Sequence, residues 1–223
     1  MARRTSSRKA PKLRPDPPLG PEEFDPAPAE VESGAFWDCV EAGPDLVVPE
    51  HVPGWRVQES RLVGVDLAGR RLSGLVMRDT ELVRCDLSGA VLDGAGLERV
   101  AFTGCRLTGT VLSGTRLTDV LIADCRADLL NLRMADASSL VVEESNLRGV
   151  DLYELTAQNC AFLGCDLTGA VLDNAKLTGT RLHRSTIADV RGALALRGCV
   201  IGPDQQLPVG VVLLDALGID VTD

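Results

Sequence analysis

The large apolar residues of this chain recur every five positions, a spacing that fits neither a helix, with its period near 3.6, nor a strand, with its period of two. From about Val57 they stand at 62, 67, 72, 77, 82, 87, 92, 97, 102, 107, 112, 117 and 122. They resume at 142, 147, 152, 162, 167, 172, 177, 182 and 187. Two residues before most of them sits a small residue, as at Val65, Thr80, Cys85, Ala90, Thr110 and Ala170. A pair two apart points to one side of an extended segment, and the three residues that follow, often ending in glycine, can turn a corner. Cys85, Cys105, Cys125 and Cys165 recur in steps of twenty, as do Gly69, Gly89, Gly109, Gly149 and Gly169. Twenty residues therefore make one coil of four sides. The pattern predicts an all-β solenoid, in which each coil buries its inner face by stacking on its neighbours. The cysteines then form one internal column, interrupted by Ser145 and ended by Ser185.

The units Val65-Asp66-Leu67-Ala68-Gly69, Cys85-Asp86-Leu87-Ser88-Gly89 and Cys165-Asp166-Leu167-Thr168-Gly169 resemble the A(D/N)LXX repeat of the pentapeptide-repeat family. The resemblance covers residues 57 to about 190 and implies a right-handed quadrilateral β-helix with the small residue and the central leucine inward. The segment Gly198-Cys199-Val200-Ile201, followed by Val211 to Ile219, is similar to the end of the Qnr quinolone-resistance proteins, where the last coil leads into a short C-terminal α-helix. The residues agree with a helix there: Pro208 suits a first helical position, Leu213, Leu214 and Leu217 share a face, and Gly218 suits a left-handed cap. The Qnr resemblance implies a two-fold homodimer, with Val211, Leu213, Leu214 and Leu217 as interface candidates.

The boundaries expected are a disordered tail at 1–33, basic and then proline-rich, an N-terminal cap at 34–56, the repeat body at 57–202, and the helix and tail at 203–223. Phe36, Trp37 and Trp55 are expected to cover the open end of the core. Arg70 stands at a small position, which predicts an open or irregular first coil. Ala127, Ala137 and Ala157 replace the central leucine while Leu130, Leu140 and Leu155 take the small position. Large and small are swapped there, and a volume-conserving exchange, a kink, a widened coil or a loop all remain open.

Composition narrows the function classes. The seven cysteines are odd in number and no secretory signal opens the chain, so free thiols in a reducing cytoplasm are expected. No apolar run is long enough for a membrane helix. The only histidines are His51 and His183, neither with an evident catalytic partner; Gly94 and Gly96 fall within the repeat and lack a GxGxxG continuation. The cysteines have no CxxC spacing, which favours core thiols over a metal site. No cofactor, metal or catalysis is expected.

Charge is the remaining lever. The chain carries a formal charge of −9, and residues 119–173 hold three Lys or Arg against ten Asp or Glu. These acids are Asp119, Asp124, Asp128, Asp136, Glu143, Glu144, Asp151, Glu154, Asp166 and Asp173. Nearly three coils, about 13 Å of axis at roughly 4.8 Å each, would carry this belt, against roughly 8 charges on the same length of duplex DNA. The Qnr resemblance implies a DNA mimic that occupies the saddle of DNA gyrase or another type II topoisomerase. A generic protein-interaction scaffold using outward apolar residues such as Val91, Val111, Val171, Leu121 and Leu163 is the alternative, and an ordinary solubilising acidic surface explains the same charges. Direct nucleic-acid binding through Arg3, Arg4, Arg8, Lys9, Lys12 and Arg14 is disfavoured, because that arm has no aromatic residue for base stacking.

Overall fold

The computed structural model describes residues 15–221. The basic arm therefore lies outside the described residues. The chain winds as a parallel β-solenoid in which each coil stacks on the last with a register of twenty, as in Val76↔Gly96↔Arg116 and Leu82↔Phe102↔Ile122. Four sides follow from the corners. From Gly54 to Asp189 every fifth residue has a left-handed φ, without a gap. Glycine adopts that region freely, but Leu129, Met134 and Arg99 also occupy it, which costs each of them about 1 kcal/mol or more. The stacked backbone hydrogen bonds hold them there.

Two of the four faces carry regular strands. β1 (Asp25–Pro26), β2 (Phe36–Asp38), β3 (Val40–Ala42), β4 (Arg56–Gln58) and β5 (Arg61–Val63) lead in. β6 (Val76–Val83), β7 (Gly96–Thr103) and β8 (Arg116–Ala123) each run along the first face, pass a corner and continue on the second. β9 (Asp136–Ser138) and β11 (Thr156–Gln158) extend the first face, and β10 (Val141–Glu143) and β12 (Ala161–Leu163) the second. The third and fourth faces are ladders of single bridges, Asp66↔Asp86↔Arg106↔Arg126 on one and Arg71↔Val91↔Val111↔Asn131 on the other.

Inside, the central series and the small series are both buried, Leu87, Leu107 and Leu147 beside Cys85, Cys105 and Ser145. The expected cysteine column is present, and several of its rungs are hydrogen-bonded to the next. The N–H of Cys105 donates to Cys125 Sγ at 3.3 Å, and the N–H of Cys125 donates to Ser145 Oγ at 3.0 Å. All seven cysteines are free.

The swapped coils keep the same geometry. Ala127, Leu130, Ala137, Leu140 and Leu155 are all fully buried, and the left-handed corners continue through 129, 134, 139, 144, 149, 154 and 159. Volume exchange, rather than a kink or a loop, is what the departures mean.

The coil begins earlier than the leucine spacing shows. Trp37 pairs with Val57 and Val40 shares an interior column with Ser60, so residues 34–56 form coil rather than a separate cap. Upstream, Glu30 bridges Val47 and Val31 is buried, which places the end of the stretch expected to be disordered against the coil. Trp37 and Trp55 meet edge to face at 5.0 Å and fill the interior at this end, while Phe36 points outward at 59% exposure. The coil at Arg70 is regular in backbone, since Arg71 N–H donates to Glu50 and Val91 N–H to Arg70. Arg70 is half-buried there, its Nε enclosed without a hydrogen-bond partner, and the expected opening of the coil does not occur.

At the other end the register shortens to nineteen, Arg181 pairing with Val200, after a 3₁₀ turn at Ala193–Leu196. A second turn, Pro203–Gln205, leads into α1 (Gln206–Ala216), so Pro208 is its third residue and not its first. Gln205 is buried and closes the core by donating to the carbonyls of Leu182 and Ser185, both at 2.6 Å. Gly218 is left-handed, and the N–H groups of Gly218 and Ile219 return to Asp215 and Leu214, the double bond of a Schellman cap.

Candidate functional site

The fold decides which charges can act together. Outward side chains of one column lie one coil apart, so carboxylates adjacent in sequence scatter over different faces. Asp136 lies on the first face, Asp128 and Asp166 on the third, Asp151 and Asp173 on the fourth, and Glu154 at the corner between fourth and first. Several are answered by arginines on the same face: Arg133 meets Asp151 at 2.9 Å, Arg148 meets Asp166 at 3.0 Å, and Arg126 and Arg191 approach Asp128 and Asp173 at 3.6 and 3.8 Å. Burial raises the Asp166 carboxyl, but bonds from Thr168 and Arg148 outweigh it and leave it below its usual range. A continuous belt does not exist.

The structure does gather Asp119, Asp124, Glu143 and Glu144. Asp119 and Asp124 hold the two corners that bracket the second-face half of β8, and Glu143 and Glu144 lie one coil further along, on that face and its edge. Between them runs an apolar strip of Leu121, Val141, Ala161 and Leu163. From residue 119 to 164 this face and its edges carry no Lys or Arg, and Arg184 on the same face reaches Glu144 at 3.0 Å.

A second surface feature was not visible as such in the spacing. On the first face, Phe36, Arg56, Val76, Gly96 and Arg116 form one outward row, and the absent side chain at Gly96 leaves a groove of about 350 Å³. Beside it Arg78 binds Glu98 at 2.6 Å.

Residues with chemical potential are dispersed. Among the described residues the His51 ring approaches only Ser73, at 3.4 Å on the surface, and His183 lies half-buried on the second face. Asp38, Cys39 and Glu59 place three possible ligand atoms within 4.8 Å of one another at a partly exposed corner. Burial first, and then Asp38 and Glu59, raise the Cys39 pKa, so its thiol is protonated at neutral pH. In the column, contact with Cys105 and then burial push Cys85 up, and burial pushes Cys165 up to about 11. Protonated, enclosed thiols are poor nucleophiles.

Helix α1 is apolar on two opposite sides. Val209, Val212 and Leu213 pack on the solenoid end, whereas Leu207, Val211 and Leu214 form a stripe on the far side, with Leu217 at its edge. The four residues expected at one interface thus divide: Leu213 faces the core, and Val211 and Leu217 are each 58% exposed. Among the described residues no helix is long and apolar enough to cross a membrane.

Corners every fifth residue, a twenty-residue register and an interior of small and aliphatic columns define a four-sided β-solenoid of five-residue sides. The family of pentapeptide repeats matches residues 60–98 and 145–184, in eight copies, and the chain is a pentapeptide-repeat protein. Among solved structures it is similar to a trypsin-treated form of QnrB1, a plasmid-mediated fluoroquinolone resistance protein, at 19% identity and TM-score 0.44, over 88% of this chain and 95% of that one. It is similar also to HetL, a pentapeptide-repeat protein involved in heterocyst differentiation regulation from the cyanobacterium Nostoc sp. strain PCC 7120, at 17% identity and TM-score 0.37, over 77% of this chain and 84% of that one. No curated protein matches the chain.

Proposed function

We propose that the chain acts without catalysis, through protein contact, as a DNA mimic that lies in the DNA-binding saddle of gyrase or another type II topoisomerase and modulates it or protects it from quinolone-like poisons. The observation that supports this is the second face: Asp119, Asp124, Glu143 and Glu144 edge an apolar strip, and the arginines of this stretch, Arg126, Arg133 and Arg148, all lie on other faces. Such a rigid, acidic face offers a basic saddle fixed charges at regular axial steps. In a supercoiling assay with and without a fluoroquinolone, the protein is expected to alter gyrase activity at micromolar concentration. Reversing Asp124, Glu143 and Glu144 to lysine should abolish the effect, and reversing Asp151 and Asp166 on the other faces should not. No effect of the unaltered protein would sink the mimic and leave the second reading, an interaction scaffold for another protein, favoured by Leu121 and Leu163, the partly exposed members of a strip whose Val141 and Ala161 are buried.

The same surface logic supports a homodimer through the free stripe of α1. Deleting the segment from Gln205 onward would uncap the core, so substitution is the better probe. Val211→Asp with Leu214→Asp should halve the mass measured by light scattering; an unchanged mass refutes the interface.

A further inference from the structure

Gly96 is the exception among the glycines of the repeat body. Every other glycine from Gly54 to Gly198 has a φ between 60° and 83°, where the corner requires it. Gly96 opens strand β7, has no left-handed φ, and a Cβ built there meets no atom within 4 Å. The backbone therefore has no use for glycine at this position. In a strand such a residue weakens the sheet unless something must approach closely, and here it opens the groove on the first face.

The walls of that groove have a definite chemistry. Val76 and Phe36 are 45% and 59% exposed, large values for apolar side chains. Arg56 lies over the Phe36 ring at 6.0 Å, and Arg116 is exposed on the next coil past the notch. Neither arginine is paired with a carboxylate among the described residues, whereas Arg78 is committed to Glu98. A chain of net charge −9 thus keeps two unpaired guanidinium groups around an apolar notch on one face.

We propose that this groove docks an extended acidic peptide segment of a partner protein, with one aliphatic side chain seated over Gly96 and carboxylates meeting Arg56 and Arg116. The charge complements the arginines, and Phe36 and Val76 suit an aliphatic side chain better than a phosphodiester backbone. Two guanidinium groups can match the few carboxylates of a short peptide, whereas on a chain of net charge −9 they are too few to hold the dense phosphate array of a nucleic acid. This surface is separate from the second face, so its test is independent of gyrase.

The probe is a fluorescein-labelled peptide with acidic residues on both sides of a single leucine, titrated by anisotropy against the full chain up to about 1 mM, the weak end of specific binding. Saturable binding is expected. Gly96→Leu fills the notch in a position that accepts a side chain without strain, and Arg116→Glu reverses one wall; each should weaken binding by about tenfold or more. Arg148→Glu, on the third face, should leave it unchanged, and replacing the peptide's leucine by alanine should weaken it. Absence of saturable binding, equal affinity in the Gly96 and Arg116 variants, or tighter binding of a labelled single-stranded oligonucleotide to the same two residues overturns the proposal.

Discussion

Replacing Leu130 with alanine is expected to destabilise the protein by about 3 kcal/mol, and adding Ala127→Leu to the same chain should restore much of that loss. Leu130 and Ala127 are both completely buried, three residues apart around one corner of the coil. In neighbouring coils the same columns read Thr110 and Val150 for the first and Leu107 and Leu147 for the second. A large-to-small change in such a site loses transfer energy and leaves a cavity, typically about 2–5 kcal/mol. Ala127→Leu alone overpacks a filled coil and should cost about 1–3 kcal/mol. If volume is shared across the corner, the double variant is more stable than the sum of the single effects requires. Chemical denaturation of the four proteins in a double-mutant cycle measures this. Strict additivity would show that each column is packed independently and that the swap is incidental.

The second large effect is expected at Asp79, whose side chain is only 5% exposed. Both its oxygens accept from Arg99, at 2.6 and 2.7 Å, and Oδ1 also accepts the Leu19 N–H at 3.1 Å. This carboxylate ties the proline-rich segment around Pro18 and Pro21 to the corner between the first two faces. Removing one member of a buried pair leaves the other uncompensated, so Asp79→Ala should cost about 2–3 kcal/mol, less than a fully enclosed pair because Arg99 keeps partial contact with water. Limited proteolysis should then cut within residues 15–24 well before the repeat body. The pH dependence has a definite sign. The bonds from Arg99, ahead of that from Leu19, lower the Asp79 pKa below its ordinary value despite burial. Its contribution is therefore complete above the unfolded pKa of about 3.9 and is lost as pH falls through the lower folded value. Asp79→Asn should flatten the part of the acid limb below about pH 4, with Asp86, Glu98 and Asp166, also lowered, accounting for what remains. An unchanged acid limb would show that the carboxylate contributes nothing by ionising.

The architecture was readable because it is written locally. Cys85, Leu87 and Gly89 state an inward pair and a corner within five residues, and the step of twenty supplies the long-range register. The first coil escaped this grammar because Trp37, Val52 and Trp55 stand where later coils place leucine or small residues. The step from Trp37 through Val57 to Met77 was the surviving signal. The swapped coils could not be decided from spacing, since alanine and leucine in exchanged positions conserve volume only if the corners persist. Left-handed Leu129 and Met134 are what preserve them. Surface properties were least legible. Counting charge along 119–173 gave a belt, whereas winding sends consecutive acids to different faces and brings Arg133 to Asp151 and Arg148 to Asp166. Gly96 stands between the inward Ala95 and Leu97 and not at a corner like Gly94, so its place in the five-residue unit was readable, but the groove it opens was not.

The register of twenty also makes length an independent variable of this molecule. An added segment of twenty residues beginning and ending at equivalent corners, for example after Gly109, would keep every interior column in line and extend the rod by about 4.8 Å. Five added residues would instead turn every later column by one side, setting the second-face acids against a different flank. Whole-coil duplication and loss are thus neutral moves for the core and graded moves for reach, so descendants of such a chain can vary in span while their packing is conserved.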